Sequence, residues 1–160
     1  MNNKMGVVVC MKKLIAIGNR FMTDDGIAIT VAENMKQRLE ELGYEVIIGE
    51  TDYRKCFFSL SEQDFIIILD ALFTNDEPGI VKIFSFEEVL SSPPNVKNQH
   101  EMSLIDFMRL YNRDYKGFLI GIEVADIGYG EKISTVLQDK LTNICSLIEN
   151  ILIRTENLYK

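Results

Sequence analysis

Positive charge is the first thing in short supply. The 160 residues carry 17 Lys and Arg against 24 Asp and Glu, a formal net charge of −7. Phosphate neutralisation needs clustered cations. Here the basic residues are interleaved with acids, as in Lys36-Gln37-Arg38-Leu39-Glu40-Glu41, so a nucleic-acid partner is excluded. Cysteine is equally sparse. Cys10, Cys56 and Cys145 stand far apart with no CxxC or zinc-type spacing, the usage expected of reduced thiols in a cytoplasmic protein. No apolar run is long enough to cross a bilayer. The opening MNNKMGVVVC is too short and too weakly apolar for a signal peptide. Residues 1–11 read as a flexible extension, because Met11-Lys12-Lys13 would itself be a natural start. Three catalytic signatures are also missing: a GxGxxG fingerprint, a Walker A loop and a GxSxG elbow.

What remains is an ordinary globular composition, 47% hydrophobic and 26% charged, of a size suited to a single domain with one core. Apolar runs predict strands at Leu14–Ile17, Tyr44–Ile48, Phe65–Leu69, Ile80–Phe84 and Phe118–Val124. Several are apolar at consecutive positions, the pattern of strands buried on both faces of a mostly parallel sheet. Between them run helical stripes. Ala28, Val31, Ala32, Met35, Leu39 and Leu42 mark the first, with Thr23 or Asp24 as N-cap candidates and Gly43 as terminator. Leu104, Phe107, Met108 and Tyr111 mark a second, Val136 to Leu152 a third, and a weaker helix is expected around Cys56–Leu60. Pro93-Pro94-Asn95 marks a long loop. Strand and helix in alternation predict an α/β three-layer sandwich, a five-stranded sheet with helices on both faces.

Ligands of such sheets bind beyond the carboxyl ends of the strands, and there the acids collect. The first strand leads through Gly18-Asn19 to Asp24 and Asp25. The second runs to Glu50, Thr51 and Asp52, and the third, FIIIL, runs directly into Asp70-Ala71. The single histidine, His100, precedes the helix that starts near Glu101. A negatively charged loop repels phosphate but suits a divalent cation, and carboxylates with an imidazole favour a borderline metal such as nickel or zinc. Each residue also has an ordinary structural explanation. Asp24 reads as a helix cap and Asp25 as a first-turn acid, whereas Asp70, after five apolar residues, is costly to desolvate without a cation or donors.

The order GN-x3-TDDG, then FIIILDA, then a lone His before a helix, resembles the hydrogenase maturation endopeptidases over about Met11 to Ile151, with GIEVADIGYGEKIST as the last strand, loop and final helix. The resemblance implies an α/β sandwich over residues 12–155. It implies an endopeptidase that removes the C-terminal extension of the large-subunit precursor of a nickel–iron hydrogenase. The nickel carried by that precursor serves as the recognition element, and Asp25, Asp70 and His100 fall on the metal-contacting positions. Asp25 or Asp70 would act as general base, and the protein would work as a monomer or weak dimer. Two departures stand out. Ala28 replaces a small glycine, and Glu50-Thr51-Asp52-Tyr53 stands where the family has Gly-Thr-x-Gly. Bulky and charged side chains there predict a reshaped groove. They also motivate an alternative, a non-proteolytic module that binds nickel or the precursor on the same fold.

Overall fold

The computed structural model describes residues 10–92 and 102–158. Five strands, β1 (Lys12–Ile17), β2 (Tyr44–Glu50), β3 (Phe65–Leu72), β4 (Val81–Ser85) and β5 (Lys116–Glu123), form one sheet in the order β2-β1-β3-β5-β4. The first four neighbours in that order pair in parallel. Only β4, on the far edge, runs antiparallel to β5.

Both faces of the central strands are buried, which is why their sequences are apolar without a gap. Alternate residues divide between two cores. Leu14, Ala16, Ile67, Leu69, Ile120 and Ile122 face α1 (Ile27–Glu41) and α5 (Thr135–Glu156). Ile15, Ile17, Ile66, Ile68 and Leu119 face α2 (Tyr53–Phe58), α3 (Phe86–Ser91) and α4 (Leu104–Tyr111). The three-layer sandwich expected from the sequence is the observed architecture.

Several local expectations are corrected. Neither Thr23 nor Asp24 caps α1. A 3-10 turn, Thr23–Gly26, comes first, and the residue at the cap position is Gly26. The weak helix near Cys56 begins earlier, at Tyr53, where the Asp52 side chain accepts from the Lys55 N–H. Strand β3 continues two residues past Asp70, so that aspartate lies within the strand. Helix α3 has no counterpart among the expected helices, being too short for a repeating stripe. Its signal is a capping box, in which Ser85 and Glu88 each accept from the other's backbone N–H. Pro93-Pro94-Asn95 and His100 lie outside the described residues.

Candidate functional site

The site is built on the carboxyl edge of three adjacent strands, β1, β3 and β5. Alternation along β3 sends Ile66 and Ile68 toward α2 and α4, and Asp70 follows on that same face. Its partner across the ladder is Gly121 on β5, and Leu72 occupies the space a Gly121 side chain would fill.

Asp25 reaches the site through a tightly fixed loop. Strand β1 is followed by Gly18, whose φ is +144°, and a Cβ there would lie 2.0 Å from the Asp25 carbonyl oxygen. Only glycine permits that approach. The chain then turns so that the Asn19 N–H donates to Asp25 Oδ2 at 2.8 Å, and the Asp25 N–H donates to the Met22 carbonyl at 3.0 Å.

The two carboxylates feel one another. Loss of surrounding water pushes the Asp70 carboxyl up to about 7. The Ala71 N–H, donating to Oδ1 at 2.8 Å, opposes this, while the negative charge of Asp25 adds to the rise. Asp70 is therefore half protonated near neutrality, chiefly because its charged form has lost water and to a smaller extent because Asp25 adds like charge. Both residues are half-buried. Helix α3 ends at Ser91 and α4 begins at Leu104, both packed on the face toward which Asp70 is directed. His100 falls in the connection between them, outside the described residues. Among the described residues no set of three His, Cys, Asp or Glu side chains comes together around a common point.

Asp24 does something the sequence did not disclose. Its carboxylate is fully buried. Oδ2 accepts from the Ala125 N–H at 3.0 Å, the Asp126 N–H at 2.8 Å and the Ser134 hydroxyl at 2.9 Å, and Oδ1 accepts from the Ser134 N–H at 2.6 Å. Ser134 is the N-cap of α5. Asp24 thus places its negative charge at the start of a 22-residue helix on the far side of the sequence, where the dipole favours an anion. It is a helix-associated acid, as expected, but for α5 rather than for its own helix.

A second buried carboxylate was missed altogether. Glu123 ends β5 fully buried, accepting from the Thr74 N–H at 2.7 Å and the Thr74 hydroxyl at 2.6 Å. It secures the chain where it leaves β3, four residues after Asp70. Nothing in GIEVADIG sets this glutamate apart from a surface residue.

The residues that depart from the family's glycines find partners of their own. Glu50 has a φ of +49°, a left-handed backbone that glycine adopts without strain. Its carbonyl accepts from the Gly18 N–H at 3.0 Å. Its side chain accepts from Arg20 Nε at 2.6 Å, and Arg20 also donates to Glu33 at 2.6 and 3.2 Å. Those two carboxylates hold the Arg20 guanidinium well above its ordinary pKa. The Tyr53 ring packs against the core beneath α2 and α4. A groove of about 390 Å³ lies between β2 and α2, lined by Ile47, Gly49, Glu50, Asp52, Lys55 and Cys56. Neither Asp25 nor Asp70 lines it, so it is separate from the carboxylate pair.

Comparison with known proteins gives a consistent result. The hydrogenase 2 maturation protease of Escherichia coli (strain K12) is 28% identical over 97 residues, 59% of this chain and 59% of that protein. The match spans less than two thirds of that relative's length. Among solved structures, the hydrogenase maturating endopeptidase HybD from E. coli superposes with a TM-score of 0.74 at 19% identity, covering 91% of this chain and 93% of its own. The [NiFe] hydrogenase maturation protease HybD from Thermococcus kodakarensis does so with a TM-score of 0.62 at 24% identity, covering 89% and 99%. At such identities these structures establish the α/β fold. A family model described as hydrogenase maturation protease matches residues 29–151, a stretch that contains Asp70 and the position of His100 and starts just after Asp25. Because that match runs from α1 through most of α5, well over half of the chain, the protein belongs to the hydrogenase maturation protease family.

Proposed function

We propose that the protein is an endopeptidase that removes the C-terminal extension from a nickel-loaded precursor of a NiFe-hydrogenase large subunit. Asp25, Asp70 and His100 contact the nickel that the precursor carries. The observation that carries this reading is the pair of acids on the carboxyl edge of the sheet, where loss of water, and to a smaller extent the charge of Asp25, pushes Asp70 up to about 7. Two acids in such a relation are relieved by a cation, and a cation delivered with the substrate makes site assembly conditional on metal insertion. Similarity to proteins named hydrogenase maturation proteases supplies the reaction class.

Asp25 or Asp70, through a carboxylate oxygen not engaged by the metal, takes a proton from the attacking water while the water oxygen bonds to the scissile carbonyl carbon. It returns that proton to the departing amine as the C–N bond breaks. Asp25 accepts from the Asn19 N–H through Oδ2, which fixes the orientation of its carboxylate.

The test is cleavage by purified protein of nickel-loaded and nickel-free precursor. Tail removal only from the loaded form is expected, and Asp25→Asn, Asp70→Asn and His100→Ala should each slow it by roughly a hundredfold or more. Full-rate cleavage by all three variants would overturn the residue assignment. Stable binding of loaded precursor with no tail removal would instead favour the non-proteolytic module. The side chains that motivated that alternative are both engaged, Glu50 with Arg20 and Tyr53 in the apolar layer.

A further inference from the structure

Exposed apolar side chains on soluble proteins are usually scattered and need no explanation, but a group of them on one rigid support does. The carboxyl edge of the sheet carries such a group. Phe21 is 63% exposed in the loop between β1 and the 3-10 turn, and Ile127 (41%) and Tyr129 (95%) are exposed in the loop between β5 and α5.

These two loops are stitched together. The Gly130 N–H donates to the Phe21 carbonyl at 3.0 Å, the Thr23 N–H to the Gly130 carbonyl at 2.9 Å, and the Thr23 hydroxyl to the Gly128 carbonyl at 2.7 Å. The buried Asp24 carboxylate locks the same loop through Ala125, Asp126 and Ser134. The Thr23 backbone holds a φ of +47° to make these bonds. An exposed Tyr on a fixed loop presents a large contact area while losing little freedom on binding.

We propose that Phe21, Ile127 and Tyr129 form an apolar ledge that seats a protein segment flanking a bound cation. The occupant follows from two features together. The proposed site takes a cation through Asp25, whose carboxylate has a single backbone donor, and Asp25 belongs to the same short loop as Phe21, its N–H bonded to the Met22 carbonyl. A free metal ion arrives wrapped in water and gains nothing from an apolar wall. A metal embedded in a protein arrives with apolar side chains around it, and those side chains bury against the ledge. The ledge therefore selects a metal carried by a protein over the hydrated ion. This inference rests on the function proposed above and extends it to the surface that recognises the precursor.

The experiment compares wild type, Phe21→Ser, Tyr129→Ser, the double variant and Tyr129→Phe on nickel-loaded precursor. Leu158→Ser serves as a control, because Leu158 is also strongly exposed (80%) but follows α5 at the opposite edge of the sheet. The double variant should raise KM about tenfold with kcat changed less than twofold, at an unaltered melting temperature. Tyr129→Phe should restore most of the loss, since the ring and not the hydroxyl makes the contact, and Leu158→Ser should change nothing. An unchanged KM in the double variant, or a loss confined to kcat, overturns the ledge. If wild type cleaves nothing, the proposed reaction falls and co-elution with loaded precursor decides the ledge. Retention by wild type with loss in the double variant upholds it, and no retention by wild type removes it as well.

Discussion

Two pairs of acids share one edge of the sheet and live under opposite physical conditions. Asp24 and Glu123 are fully buried with their oxygens occupied by backbone N–H groups and hydroxyls. Asp25 and Asp70 are partly exposed, each accepts one backbone N–H, and Asp25 makes Asp70 harder to ionise. The first pair has already found its positive partners in the chain. The second pair is short of them. Burial and the supply of donors thus separate the two pairs in the same direction, and the donors give the physical reason.

The comparison would break if removing acids from the two pairs had the same effect on stability. The largest loss is expected for Asp24→Ala, which orphans the Ala125, Asp126 and Ser134 N–H groups together. About 3–4 kcal/mol should disappear from the urea-unfolding free energy. A cost below about 1 kcal/mol would show that the loop finds other partners.

Asp70→Asn should act with the opposite sign above neutrality. The folded carboxyl titrates near 7 against an ordinary value of 3.8, so the folded state binds the extra proton between those values. The contribution of Asp70 to stability therefore falls as pH rises from about 4 to 7, and its charged form stays unfavourable above that. Replacing Asp70 by Asn should flatten that slope and stabilise the metal-free protein at pH 8 by about 2 kcal/mol. A difference in unfolding free energy between wild type and the Asn variant that does not change over this window would contradict the raised pKa of Asp70.

Glu123→Gln sharpens the distinction at smaller scale. One of the oxygens that receive Thr74 becomes an amide donor, and a cost of about 1–2 kcal/mol in thermal or urea unfolding is expected. The smallest effect belongs to Arg20→Ala. Its ion pairs with Glu33 and Glu50 are more than one third exposed, so less than about 1 kcal/mol should be lost, and less still in high salt.

What the sequence made legible follows from how local each signal is. Uninterrupted apolar runs such as FIIIL report burial on both faces, and strand ends on such a sheet are known binding positions, so Asp25 and Asp70 could be singled out. The role of Asp24 could not be read, because its partners lie 101 to 110 residues away and no short pattern announces them. The same holds for Glu123 and Thr74, 49 residues apart. The left-handed backbone at Glu50 is hidden for a different reason, since it occurs at a residue type that seldom adopts it. Helix α3 was within reach through Ser85 and Glu88, a spacing that marks a helix start even where no stripe follows.

The bond from Asp24 to Ser134 also sets an order of events. It ties the exit of the first strand to the start of the last helix, across 110 residues. Contacts of that separation close late, because the intervening chain must first be drawn in. The loop that presents Asp25 cannot take its final form until the end of β5 and the turn beyond it have been synthesised and docked. During translation the Asp24 carboxylate therefore stays without these partners until Ser134 has been synthesised.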